Sequence, residues 1–133
     1  MEKILSLFSY TPENVGDMGC TWGNVYRRYY STTFAHVNDV RDDYHEFDLT
    51  IIGGGGIINK SHEAGIWRAL EKSKKCIIRS VGVKDWEFAK KLRDKLGKNF
   101  TTRHQVDGYV YEPCPSLLEV KRYKMVHGIN EFI

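Results

Sequence analysis

The stretch Phe47-Asp48-Leu49-Thr50-Ile51-Ile52-Gly53-Gly54-Gly55-Gly56-Ile57-Ile58 decides how this chain is read. Leu49–Ile52 is short, apolar and β-branched, the pattern of a strand buried on both faces of a parallel sheet. It runs straight into four consecutive glycines. Without Cβ atoms, successive backbone N–H groups can converge on one point and a ligand can approach the main chain closely. A phosphate or carboxylate suits such a concavity, and the N-terminus of a following helix adds partial positive charge. A tight strand-to-helix turn packed against a neighbour accounts for the same glycines equally well. No G-x-G-x-x-G fits the run and no Gly-Lys-Ser/Thr follows it, so it is neither the dinucleotide fingerprint nor a P-loop.

Outward from this stretch, short apolar runs alternate with amphipathic ones. Lys3–Ser9 reads as a strand and Tyr10–Cys20 as a loop. Thr21 is placed to cap a helix through about Thr33, with Trp22, Val25, Tyr26 and Tyr29 on one face. Ala35–Val40 reads as a second strand and Asp42–Phe47 as one helical turn. Ser61 is placed to cap a helix through about Ser73, with Ile66, Ala69 and Leu70 inward. Cys76–Val81 is the next strand. Asp85 starts a helix that Gly97 stops, with Phe88, Ala89, Leu92 and Leu96 inward. Asn99–Arg103 and Tyr109–Tyr111 read as strands, and Ser116 as the cap of a last helix through His127. This alternation predicts an α/β fold over residues 1–133: a single Rossmann-like three-layer αβα domain with a mostly parallel sheet of five to six strands.

Composition removes other classes. The 133 residues are 41% hydrophobic and 28% charged, a globular mix rather than a disordered one. The net charge of +3 comes without a dense basic block, so no nucleic-acid partner is expected. Cys20, Cys76 and Cys114 are odd in number and widely spaced, which argues against a disulfide scaffold or a zinc ribbon. No metal-ligand spacing is evident and no cofactor is expected. The Met1–Phe8 segment reads as a strand rather than a signal peptide, and no run is long enough to span a membrane. A cytoplasmic protein is expected.

In open parallel sheets, ligands bind beyond the carboxyl ends of the strands. That rule selects the loops 9–21, 53–61, 82–85 and 103–108. Asn14 and Asp17, with Gly16 between them, can bond sugar hydroxyls or hold their own loop through Asx turns. Trp22 can stack on a sugar ring or base, or simply pack. Gly53, Gly54, Gly55 and Gly56 with Asn59 form the candidate anion loop. His62 and Glu63 follow it, and an imidazole there could move protons, although an exposed first-turn pair is the commoner meaning. Arg103 suits a phosphate or carboxylate, or a salt bridge with Asp107 or Asp85. Asp17, His62 and Arg103 are the weak catalytic candidates. Cys114, between two prolines, would need a nearby base to act as a nucleophile.

Several of these motifs, in order, resemble the polysaccharide pyruvyl transferase family. Asn14-Val15-Gly16-Asp17 is similar to its N-x-G-D, and Asp48 through Ile58 to its D-x-x-x-x-G-G-G-x-hydrophobic segment. Val81-Gly82-Val83 resembles its next strand end, and Thr101-Thr102-Arg103-His104 its T-x-R-D/E, with His104 where the family has an acid. Glu112-Pro113-Cys114-Pro115-Ser116 resembles the V-P-C-x-S of some members. The likeness covers about residues 3–118. It implies one half of a glycosyltransferase-B-like fold and transfer of the enolpyruvyl group of phosphoenolpyruvate to a saccharide. It also implies that a homo-oligomer or a partner chain supplies the second half, which is absent from these residues. Whether the chain is an enzyme is left open by this reading. The alternative is a non-catalytic module that sequesters a nucleotide or phosphorylated metabolite, of the kind a virus or mobile element could encode. An aromatic face at Trp22–Tyr30, used for association, is a third reading.

Overall fold

The computed structural model describes residues 2–9 and 21–114. Six strands form one sheet: β1 (Lys3–Phe8), β2 (Ser31–His36), β3 (Leu49–Ile52), β4 (Cys76–Val81), β5 (Phe100–Thr102) and β6 (Val110–Tyr111). Their order is β2-β1-β3-β4-β5-β6, and every pairing is parallel. The helices are α1 (Gly23–Tyr26), α2 (Glu63–Lys72) and α3 (Trp86–Leu96). This is a generic Rossmann-like α/β domain, a parallel sheet flanked by helices. Successive strands are added on one side of β1 and then on the other, so the switch point lies between β1 and β3.

The sheet separates two cores. On one face, Leu5, Leu7, Ile52 and Ile78 pack against Ile66 and Ala69 of α2 and Phe88, Ala89 and Leu92 of α3. On the other, Ile4 and Ile51 meet Trp22, with Val25 and Tyr26 of α1 at the margin. These are called the helical face and the tryptophan face below. Alternate residues of β3 serve both, which is why Leu49–Ile52 reads as a continuous apolar run.

The expected bounds of the strands at 49–52 and 76–81 match the structure. Asp85 caps α3 as expected, its Oδ1 accepting the Phe88 N–H at 3.1 Å, and Gly97 follows at φ +57°. Residues 44–46 form a single 3₁₀ turn where one helical turn was expected.

Three expectations need correction. The helix expected from Thr21 to Thr33 is α1 alone, four residues without a side-chain cap. The Thr21 hydroxyl bonds Ser6 instead, at 2.9 Å. Residues 31–36 then pair in register with 3–8, so the second strand is Ser31–His36 rather than 35–40. Strand pairing with a buried neighbour overrides the helical spacing of the aromatics, and Thr32 and Thr33 are β-branched. Ser61 does not cap α2: its hydroxyl donates to Asn59 Oδ1 at 2.5 Å, and a 3₁₀ turn at 60–62 precedes the helix. The helix expected from Ser116 lies outside the described residues.

Two irregularities position side chains near the switch point. Ser80 adopts φ +56° where the β4–β5 register shifts between Ile78 and Val81. That bulge lets Ile78 and Val81, three residues apart, face the same core while Arg79 turns to the other face. Gly65 lies in α2 where a Cβ would sit 2.3 Å from the Val37 carbonyl oxygen. Its absence lets α2 close onto the end of β2.

Candidate functional site

The glycine run sits at the carboxyl end of β3, beside the switch point. Gly53 N–H donates to Leu7 O of β1 at 3.2 Å. Gly54 and Gly55 follow at φ +114° and +67°, a conformation that side chains strain to adopt. The loop then folds back onto the β4–α3 connection. Gly82 N–H donates to Gly55 O at 2.8 Å, Ile58 N–H to Gly82 O at 3.2 Å, and Lys84 N–H to Ile58 O at 2.9 Å. Ile58 and Val83 form an isolated parallel bridge. Asn59 ties the loop from within, its Nδ2 donating to Gly56 O at 2.9 Å. Among the described residues, no backbone carbonyl accepts the N–H groups of Gly54, Gly55 or Gly56.

Two cationic side chains lie on this surface. A Cβ on Gly56 would sit 3.0 Å from Lys84 Cε and 3.7 Å from its Nζ. A Cβ on Gly82 would sit 2.6 Å from Arg103 Nη2. The two glycines therefore carry the lysine and the guanidinium as lids of positive charge. Among the described residues neither cation forms an ion pair, and Asp85, one partner considered for Arg103, is engaged as the α3 cap. The Arg103–His104 turn is held by Thr102, whose hydroxyl accepts from His104 N–H at 3.0 Å and donates to His104 O at 2.8 Å. His104 Nε2 accepts the Val83 N–H at 3.1 Å, which leaves the neutral ring's proton on Nδ1. Trp86, 38% exposed, meets His104 and Tyr109 edge-on.

His62 follows directly from the loop, its N–H donating to Asn59 O at 3.2 Å. Its Nδ1 accepts from the Asn38 amide at 3.0 Å, and its ring meets His36, the last residue of β2, at 5.8 Å. The structure ties Asn59 to the Gly53–Gly56 run, lays Arg103 over Gly82, and turns the His62 ring toward Asn38 and His36. Asn14, Gly16 and Asp17 lie outside the described residues. Among the described residues no three His, Cys, Asp or Glu side chains gather as a metal site. No helix among them is long and apolar enough to cross a membrane.

Two features were not singled out in the sequence. Lys84 is one, an exposed lysine with nothing in its spacing to set it apart. The other is a network on the tryptophan face. The Arg79 guanidinium stacks on Trp22 with Cζ 3.7 Å from the ring centre. It donates to both carboxylate oxygens of Glu112, through Nε at 3.0 Å, and to Tyr26 Oη at 3.2 Å. Glu112 also accepts from Thr101 Oγ1 at 2.8 Å. Burial opposes the charge of Glu112, yet the bonds from Arg79 and Thr101 outweigh it and hold the carboxyl below its ordinary range. An arginine inside the otherwise apolar run Cys76-Ile77-Ile78-Arg79 was the available signal, since a buried charge calls for a partner.

No protein-family model, curated protein or solved structure matches the chain.

Proposed function

We propose that the carboxyl edge around Gly53–Gly56 binds a phosphorylated small molecule. We further propose that the domain is the glycine-loop half of a glycosyltransferase-B-like transferase of the polysaccharide pyruvyl transferase kind. The observation that carries the first part is the convergence of the Gly54–Gly56 backbone with Lys84 and Arg103. Backbone donors with two cations beside them complement a phosphate better than any other common ligand group. The ordered motif series in the sequence supports the second part. In the reaction so implied, two saccharide hydroxyl oxygens bond to C2 of phosphoenolpyruvate and the C2–phosphate bond breaks. One hydroxyl proton ends on the methylene carbon, making it a methyl, and the other leaves with the phosphate. Lys84 and Arg103 would neutralise the departing phosphate. The second half would come from another copy or a partner chain.

The engagement of the His62 ring with Asn38 and His36 favours a second reading, a module that binds without turnover. Trp86 beside that cluster offers an aromatic surface for a nucleotide base. Calorimetry with phosphoenolpyruvate, nucleotides and sugar phosphates tests the shared part. Gly55→Val should abolish binding, because a β-branched residue strains at φ +67°. Phosphate release with a saccharide acceptor, lost in Asp17→Ala, would establish transfer. Tight binding with no release above background across an acceptor panel would leave the binding module, and no binding at all would remove both readings.

A further inference from the structure

Trp22 is 4% exposed, and its indole Nε1 is buried without a hydrogen-bond partner among the described residues. A buried N–H without an acceptor carries its full desolvation penalty, so native structures keep few of them. This one is held where it is. Arg79 lies on the ring face at 3.7 Å and is itself tied to Glu112 and Tyr26, so the indole is not free to turn toward another acceptor. Its location is also defined. A Cβ on Gly53 would stand 2.9 Å from Trp22 Cδ1, and Nε1 is covalently bonded to Cδ1. The orphan donor therefore lies at the first residue of the glycine run, on the carboxyl end of β3 and next to the switch point. Gly53 is what lets the ring come this close, since its Cβ would also meet the Arg79 carbonyl oxygen at 2.7 Å.

We infer that Trp22 is a binding residue of the carboxyl-edge site, its indole N–H donating to an anionic oxygen of the ligand that the glycine loop holds. The inference rests on the anion-binding reading of that loop and adds to it a neutral donor from the opposite face of the sheet. An indole N–H donates only, so it favours a phosphoryl or carboxylate oxygen over a group that must itself donate.

The test is a titration of the ¹⁵N-labelled full chain with phosphoenolpyruvate and, separately, inorganic phosphate, following amide and indole cross-peaks. The chain has three tryptophans, Trp22, Trp67 and Trp86, and Trp22→Phe identifies the peak of the first. The Trp22 indole peak should move saturably with the same dissociation constant as the Gly54–Gly56 amides. Trp22→Phe should weaken binding about tenfold, about 1.4 kcal/mol. Should that variant fail to fold, Trp67→Phe and Trp86→Phe assign the Trp22 peak by elimination, and its shift in the unaltered chain still decides the matter. Glycine amides that titrate while the Trp22 indole stays fixed would overturn the inference and leave the anion site standing, with a buried water as the partner of Nε1. Glycine amides that respond to neither probe would overturn both.

Discussion

The two faces of the sheet are built on different physics. The helical face is covered by α2 and α3 and filled with apolar side chains, among them Ile52, Ile66, Ile78 and Leu92 at 0% exposure. The tryptophan face carries one helical turn among the described residues, and its centre is Trp22 stacked on a guanidinium that a carboxylate and a phenol hold in place. Close packing on the first face supplies stability without chemical direction. The second has fewer apolar contacts, but each polar group fixes its neighbour, and that rigidity ends at the glycine run. The apolar scaffold and the polar network are thus divided between the faces, with β3 contributing to both.

The largest break in this comparison is expected on the helical face. Phe88, 2% exposed and 5.8 Å from the Trp67 ring, loses both burial and an aromatic neighbour in Phe88→Ala. Urea denaturation should show a loss of about 3–5 kcal/mol. Removing the Tyr26 ring, only partly buried, should cost clearly less; an equal cost would mean that the two faces share the load.

Next come the glycines that permit close approach. Gly65→Ala drives a methyl toward the Val37 carbonyl at 2.3 Å, and Gly53→Ala drives one toward the Arg79 carbonyl at 2.7 Å. Each should lower stability by about 1–3 kcal/mol, with the former the more costly. Only Gly53→Ala should also disturb the Trp22 fluorescence and weaken anion binding. Gly65→Ala altering both would show that the faces are coupled.

The Arg79–Glu112 pair should leave a signature in pH. Its carboxyl has a lower pKa folded than unfolded, so the pair's contribution is complete above the unfolded value near 4.5 and is lost as pH falls through the folded value. Thermal melts of the unaltered chain should therefore fall more steeply below pH 4.5 than those of Glu112→Gln. At neutral pH that variant should be less stable by about 1.5–3 kcal/mol, the range of a hydrogen bond to a charged group. Parallel pH profiles would mean that the network does not contribute to folding.

The smallest effect on stability belongs to Lys84→Ala and Arg103→Ala. Both side chains are exposed, so each change should stay within about 0.5 kcal/mol in denaturation. Each should weaken phosphate binding severalfold in calorimetry, and more at low salt than at high. Unchanged affinity in the double variant would remove the cationic arms from the proposed site.

Much of the scaffold was legible in the sequence because its determinants are local. The apolar, β-branched run at 49–52 and the aspartate cap at Asp85 act within a few residues of themselves, and both were read as they stand. The segment 21–36 was misread because its outcome depends on β1, which is remote from it in sequence. Thr21 finds Ser6 rather than a helix N-terminus, and residues 31–36 take the edge position beside 3–8. Ser61 failed as a cap for a local reason, since its hydroxyl is engaged by Asn59 two residues before it. At the candidate site, the glycine run and Arg103 stood out in the sequence as residue types, each with a structural use beside the binding one. Lys84 was not, because an exposed lysine carries no pattern until a glycine is seen beneath it.

By itself, the sequence determined that this protein is a layered α/β domain with a glycine run after its central strand. Periodicity, β-branching and capping are properties of neighbouring residues, and they suffice for that. Only the tertiary structure decided that the run lies at the switch point between β1 and β3, under Lys84 and beside the Trp22 indole. Those relations join residues as far apart as Trp22, Gly53 and Arg79, and they exist only once the parallel pairings have closed the chain upon itself.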